Sequence, residues 1–118
     1  MSVNLEKAKP ALDLSPFYGT ENYYRHISGK VYTDGVQYFA SQAGAYWFVD
    51  LVLLELATDG GPFVAVTLTV EGDAADIRVT DGNDNDIVPV FRVEWTDCPE
   101  GEYTFYICDG VMLLSSEY

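Results

Sequence analysis

The 118-residue chain is predicted to fold as an α+β domain in which N-terminal helices pack on one face of a four-stranded antiparallel meander sheet. Two periodicities predict this class. Apolar residues recur at helical spacing before residue 59, and they alternate with polar residues after residue 62. Hydrophobic residues make up 48% of the chain, which is enough for one core and too many for a disordered acidic protein.

The N-terminal region divides into an arm and the start of the domain. Residues 1–14 are predicted to be a flexible arm, because charged residues and a proline interrupt any apolar period. Residues 15–118 are predicted to be a single domain. Thr20 and Glu21 favour a short helix or turn in the residues that follow, since Thr caps helices and Glu suits a first turn.

Two further helices are predicted before the sheet. Asp34 is placed to cap the first, which Gly44 ends or bends. Its apolar face consists of Val36, Phe39, Ala40 and Ala43. Residues 45–58 are apolar nearly all round, and this pattern predicts a central helix that is buried on most of its surface.

The sheet is predicted to begin after residues 59–62, where Asp, Gly and Pro break the helical pattern. Alternation predicts four strands: residues 64–70, a return strand that contains Ile77 and Val79, residues 87–95, and residues 103–107. Pro89 lacks an N–H group, so the third strand is expected at an edge or with a bulge. An apolar tail at 111–114 follows the last turn.

The formal net charge of −13 lies almost entirely in the second part of the chain. Residues 1–34 hold four acidic and four basic residues, which leaves 15 acidic residues against two arginines in residues 35–118. Such a field repels free nucleic acid and anionic membranes and favours basic surfaces. We therefore expect a basic protein partner, with no direct contact to nucleic acid or membrane.

The meander places the acidic residues at its two ends, because alternate turns of a meander lie at the same end. Strands of about eight residues would separate the ends by about 25 Å. We predict partner-binding residues at one end (Glu71, Asp73, Asp97, Glu100 and Glu102) and at the other (Asp59, Asp81, Asp84, Asp86 and Asp109).

These features predict an acidic, non-catalytic binding protein, such as a phage or mobile-element anti-defence inhibitor that mimics nucleic acid and occupies a basic nucleic-acid-binding protein. Duplex DNA carries one charge per about 1.7 Å of axis, so thirteen charges match about 22 Å of duplex. The alternative is an accessory or structural homodimer, formed through an exposed part of the helix at 45–58, whose acidity serves solubility.

A third hypothesis, an enzyme or small-ligand binder that uses Tyr24, Arg25, His26 and Asp50, is the least favoured. His26 among tyrosines is typical of a hydrogen-bonded structural residue. If Asp50 is buried on its apolar helix, it needs a partner, which Arg25, Lys30 or a tyrosine would supply. No catalytic residue or cofactor is predicted.

Metal binding and disulfide formation are not predicted either. The turn from Asp81 to Asp86 resembles the start of a calcium loop, but Asp86 and Arg92 stand where that loop needs Gly and a bidentate acid. Residues of this kind are also typical of tight turns. Cys98 and Cys108 are expected to be reduced thiols, because the chain is expected to be cytoplasmic. A single His cannot complete a four-ligand zinc site with them without carboxylates.

The chain is expected to be cytoplasmic. Its longest apolar stretch, residues 45–57, contains Asp50 and Glu55 and is shorter than the roughly 20 residues that span a bilayer. The N-terminus lacks the pattern of a signal peptide.

Three strings, GTENYYRH (19–26), YTDGVQYFASQAGAYWFVDLV (32–52) and YICDGVMLLSSEY (106–118), occur in order along the chain. In these strings the chain resembles a family of small bacterial and phage proteins known only as a domain of unknown function. The resemblance implies a bacterial or mobile-element cytoplasm, and it implies no activity and no functional residue.

Overall fold

The computed structural model describes residues 22–56, 63–83 and 85–118. These residues form one seven-stranded mixed sheet with two short helices. The predicted fold class, a four-stranded antiparallel meander preceded by helices, is therefore wrong. Among the described residues two strands precede the helices, and residues 111–114 add a further strand to the sheet. The predicted arm at 1–14, Thr20, Glu21 and the break at 59–62 lie outside the described residues.

The strands are β1 (Tyr23–Arg25), β2 (Val31–Thr33), β3 (Phe63–Glu71), β4 (Ala74–Thr80), β5 (Phe91–Val93), β6 (Gly101–Cys108) and β7 (Val111–Leu114). Their order across the sheet is β1-β2-β7-β6-β3-β4-β5. Neighbours run antiparallel except β2 and β7, which pair in parallel through Val31 with Val111 and Tyr32 with Met112. The N-terminal and C-terminal parts of the described chain thus meet in one ladder.

Helix α1 (Asp34–Ala43) confirms the helical pattern predicted from residue 34. Its N-cap is Thr33 rather than Asp34, since the Thr33 hydroxyl accepts a hydrogen bond from the Val36 N–H at 3.4 Å. Gly44 ends the helix in the left-handed conformation, with φ of 62°.

The helix predicted at 45–58 is confirmed over residues 46–56, and residues 57 and 58 lie outside the described residues. Helix α2 spans Tyr46–Leu51 and continues as a π-helical turn over Val52–Leu56. The apolar pattern nearly all round this segment predicted burial on most faces. Leu54 is nevertheless 47% exposed, so one face of the π turn contacts solvent.

The helices and one face of the sheet share the core. Alternate residues of β3 are buried as predicted, namely Val64, Val66, Leu68 and Val70. Phe39 of α1 and Phe48 of α2 each place their ring centroid 5.1 Å from that of Phe105 on β6. This aromatic contact fixes both helices against the middle of the sheet.

Three segments differ locally from the sequence predictions. The strand predicted at 87–95 is reduced to β5: Pro89 cannot donate to a ladder and lies before its start, and the pairing with β4 ends at Val93. Tyr23 and Tyr24, expected in a helix or turn, lie in β1, and the apolar tail at 111–114 is β7. Tyr24 stacks on Tyr32 of β2 at 5.6 Å between ring centroids, which favours the extended hairpin over a helix.

Both cysteines are free thiols, as predicted. Cys98 is buried, and burial raises the pKa of its thiol to about 11. Cys108 is half-buried, and burial raises its pKa as well, with a smaller contribution from Asp109. No helix in the described part of the chain is long and apolar enough to cross a membrane.

Candidate functional site

One end of the sheet collects acidic side chains from three connections. The register pairs Glu71 with Ala74, Val70 with Gly101 and Thr69 with Glu102, so the β3–β4 turn and the segment before β6 lie together. Among the described residues this end carries six exposed carboxylates: Glu71, Asp73, Glu94, Asp97, Glu100 and Glu102. We call these six residues the acidic end.

Backbone and side-chain hydrogen bonds stabilise the turn and the loop at the acidic end. The Thr96 N–H donates to the Asp73 carbonyl oxygen at 2.7 Å, and the Gly72 N–H donates to the Glu100 carboxylate. The Tyr103 hydroxyl donates to the carbonyl oxygen of Pro99 at 2.9 Å. The carboxylates therefore sit on a braced turn and loop, which keeps their arrangement fixed relative to the sheet.

Glu94 is the member of the acidic end that the sequence did not predict. It was placed inside the third strand, where alternation gave it no special role. In the structure β5 ends at Val93, so Glu94 opens the loop that returns to β6. No local pattern marks this strand end, because the alternation of residues 87–95 continues past Val93 whereas the pairing with β4 stops there.

Apolar side chains lie exposed beside the acidic end. Trp95, between Glu94 and Asp97 in sequence, is 64% exposed, and Val90 and Phe91 at the start of β5 are also exposed. Within the described residues β5 pairs only with β4, so it is an edge strand. An exposed edge with aromatic residues inside an acidic rim is typical of a protein contact surface.

The opposite end of the sheet holds three of the other predicted carboxylates, and two of these bind groups of their own turn or of a neighbouring strand. Asp81 accepts hydrogen bonds from the Asn83 N–H at 2.8 Å and from the Asn85 side chain at 3.1 Å, and these bonds lower its pKa. Asp86 pairs with Arg78 at 2.7 Å. These contacts agree with the predicted turn rather than a calcium loop. Asp109 is exposed in the β6–β7 turn, and Asp59 and Asp84 lie outside the described residues.

A groove of about 330 Å³ lies on the sheet face opposite the helices and next to the acidic end. Its lining residues are Thr67, Thr69, Asp76, Arg78, Val90 and Glu102. The Arg92 guanidinium donates to Asp76 at 3.1 Å from the edge strand, and Asp76 raises the pKa of Arg92. Glu102 lines the groove and also belongs to the acidic end, so the two form one continuous surface.

The second candidate cluster surrounds His26. Its Nε2 lies 2.7 Å from Asp50 Oδ1, and its Nδ1 accepts the Ser28 N–H at 3.0 Å. A backbone N–H can only donate, so Nδ1 is the unprotonated nitrogen and Nε2–H donates to Asp50. Both ring nitrogens are engaged and the ring is buried, as predicted for a structural histidine.

Asp50 differs from its prediction. It ties the N-terminal segment to α2 as expected, but its partner is His26 rather than Arg25, Lys30 or a tyrosine. Its side chain is 59% exposed, so burial does not impose the bond. The hydrogen bond holds the β1–β2 connection against α2. The sequence could not predict this pair, because the two residues are far apart in the chain.

Tyrosine hydroxyls surround this cluster. Desolvation raises the pKa of Tyr24, followed by a hydrogen bond to Asp34. Burial raises the pKa of Tyr32, with smaller contributions from Tyr46 and Asp50. These phenols stay protonated at neutral pH, so they act as hydrogen-bond donors beside the His26–Asp50 pair.

The described structure thus defines a small mixed-sheet protein with an acidic, aromatic edge, and no group of three His, Cys, Asp or Glu side chains among the described residues is placed to hold a metal ion. The chain belongs to a family of unknown function, DUF6876, whose model matches residues 9–118. This confirms the resemblance seen in the three sequence strings. No curated protein matches the chain, and no solved structure matches it.

Proposed function

We propose that the protein is a non-catalytic binding protein whose acidic end occupies the basic surface of a nucleic-acid-binding protein in the cytoplasm. One observation carries the proposal. Six exposed carboxylates lie at one end of the sheet, and the exposed Trp95 lies in the loop at this end, between Glu94 and Asp97 in sequence. The carboxylates supply attraction to a basic surface, and Trp95 supplies the apolar anchor that a stable protein contact needs.

Electrostatics favours a partner of opposite charge. The net charge of −13 steers a basic protein toward the molecule before contact, and it repels nucleic acid and anionic membranes. Steering of this kind weakens as salt is added, because mobile ions screen exposed charges over about 10 Å at 0.1 M ionic strength. Binding is therefore expected to be strong at low salt and to fall as salt rises.

The geometry supports a local form of nucleic-acid mimicry. Duplex DNA carries one charge per about 1.7 Å, so the six carboxylates of the acidic end correspond to about 10 Å of duplex. Asp81 and Asp86 at the opposite end are occupied by their own turn and by Arg78. We therefore propose that the acidic end alone, and not both ends of the sheet, mimics nucleic acid. A phage or mobile element would encode such an inhibitor to block a nucleic-acid-binding protein of its host.

The test compares two variants that change the net charge equally. Glu94→Lys with Asp97→Lys reverses two exposed carboxylates at the acidic end. Ser41→Lys, Gln42→Lys and Glu55→Lys together add the same four units of positive charge on exposed helical positions. Binding of a labelled arginine-rich peptide is measured by fluorescence anisotropy at two salt concentrations, with circular dichroism as the folding control.

We expect the acidic-end variant to bind the peptide at least about tenfold more weakly at low salt, and the control variant to stay within about twofold. Equal weakening in both would mean that only the overall charge matters, which would overturn the proposal. Mimicry has a separate readout: a bacterial protein captured by the wild-type chain should be displaced by duplex DNA and should not bind the acidic-end variant. If the chain instead sediments as a dimer and captures nothing at low salt, the homodimer alternative is favoured.

A further inference from the structure

The groove on the outer sheet face has carboxylates on both sides of one hydroxyl. Glu102 on β6 and Asp76 on β4 both pair with Thr69 of β3 in the register. Adjacent strands lie about 4.8 Å apart, so the two acidic residues are separated by about 10 Å across the sheet. Thr67 lies two residues away on the same face and adds a second hydroxyl.

The charges of the groove do not balance. Asp76 is bound by Arg92, and Arg78 is bound by Asp86. The Glu102 carboxylate receives no hydrogen bond from the described part of the protein, and it is exposed at the rim. When the partners Asp86 and Arg92 are counted with the lining residues, three carboxylates stand against two guanidinium groups, and the remaining negative charge is at Glu102.

We propose that this groove binds the side chain of an arginine from the basic partner, an inference that rests on the proposed function. A guanidinium presents five N–H donors in one plane and can bind Glu102 in a bidentate way while it donates to a threonine hydroxyl. Val90 offers an apolar wall for the methylene groups of the same side chain. Lysine presents a compact point charge with three donors, so it matches this spread of acceptors less well.

The size of the groove agrees with a single side chain. Its volume of about 330 Å³ is at the lower limit for small-molecule sites. Since Glu102 belongs to both the groove and the acidic end, an arginine seated here would bring neighbouring basic residues of the partner over Glu71 and Asp97. The groove thus supplies selectivity within a contact that charge alone makes nonspecific.

The experiment uses the full chain with two labelled peptides of equal length and charge, one rich in arginine and one rich in lysine. Three variants are compared: Thr69→Val, which keeps the charge, Glu102→Gln, and Glu55→Gln as a control that removes one charge far from the groove. We expect the wild type to prefer the arginine peptide by at least about fivefold, and both groove variants to lose most of this preference. NMR titration of the wild type should shift the amide signals of Thr67 and Thr69.

The possible failures are distinguishable. If the lysine peptide binds equally well, or if Thr69→Val and Glu102→Gln keep the preference, the groove inference is wrong. If the wild type prefers the arginine peptide but the Glu94→Lys, Asp97→Lys variant binds that peptide as tightly as the wild type does, the proposed function is wrong. The groove would then still be a binding site for arginine. Circular dichroism shows whether each variant is folded, and an unfolded Thr69→Val is replaced by Thr69→Ala.

Discussion

At the scale of single residues, Glu117 joins parts of the chain that are far apart in sequence. Its carboxylate accepts the Thr33 hydroxyl at 2.6 Å, the Gly35 N–H at 3.2 Å and the Leu114 N–H at 2.9 Å. Two of these donors belong to the start of α1, where a negative charge also suits the helix dipole. One side chain thereby couples the C-terminal residues to the first helix.

Glu117→Gln should therefore destabilise the protein. The amide keeps the size of the side chain but removes the charge and one acceptor, which leaves donors at the α1 N-terminus without a full partner. We expect a loss of about 1–3 kcal/mol in the free energy of unfolding, measured by urea denaturation. Glu55 is exposed, so Glu55→Gln should change the free energy of unfolding by less than about 0.5 kcal/mol. Equal losses in the two variants would show that the Glu117 carboxylate does not stabilise the start of α1.

The raised pKa of the Cys98 thiol implies that the stability of the folded protein depends on pH in the alkaline range. The pKa of its thiol is about 11 in the folded state, above its ordinary value of 9.0, because burial disfavours the thiolate. Below pH 9 both states carry the neutral thiol, and between pH 9 and 11 only the unfolded state ionises. Stability contributed by the buried thiol is thus present at low pH and lost as pH rises through this window.

The test is the slope of stability against pH. From pH 9 to 11 the free energy of unfolding of the wild type should fall more steeply than that of Cys98→Ala, measured by urea denaturation under reducing conditions. The tyrosines with raised pKa values, Tyr24 and Tyr32, are present in both proteins and cancel in the comparison. Parallel slopes would contradict the prediction.

At the scale of elements, the edge strand β5 is the feature that defines the candidate surface. Its three residues pair with β4 on one side only among the described residues, and Pro89 precedes it. A short strand limits edge-to-edge aggregation, while the loop after it is long enough to carry Trp95 and two flanking carboxylates.

Trp95→Ala should weaken binding of the arginine-rich peptide without unfolding the protein. The side chain is mostly exposed, so truncation costs the core little, whereas a tryptophan at a contact commonly contributes more than 2 kcal/mol. We expect a loss of at least about tenfold in affinity. Phe63→Ala provides the comparison, because this ring packs against Tyr106 on the sheet and should reduce stability rather than binding. Unchanged affinity in Trp95→Ala would remove the aromatic anchor from the proposal.

At the scale of the whole molecule, the parallel pair of β2 and β7 decides the topology. It joins strands some 80 residues apart and makes the sheet mixed, while the pairing of β6 with β3 rather than with β5 is what departs from the expected meander in the described chain. Loop closure over such a separation costs entropy that local patterns do not encode, so the pairing depends on the assembled core. The Glu117 contacts lie beside this pair and support the same closure.

Some parts of this topology can be predicted from the sequence. The β6–β7 turn is Asp109–Gly110, in which both residues have positive φ, and an Asp-Gly pair between apolar runs is a strong hairpin signal. The apolar tail at 111–114 was therefore predictable as a strand. The two three-residue strands of the N-terminal hairpin were not, because they are too short to show a period.

The sequence by itself determined the first helix with its glycine end, the alternation of β3 and β4, the free thiols and the family. It also located most of the acidic residues in turns. All of these follow from local periodicity, local turn chemistry or composition. Only the tertiary structure decided which turns meet, that Asp81 binds its own turn and Asp86 binds Arg78, and that His26 binds Asp50. The reason is physical: strand order and side-chain partners depend on contacts between distant residues, and such contacts leave no period in the chain.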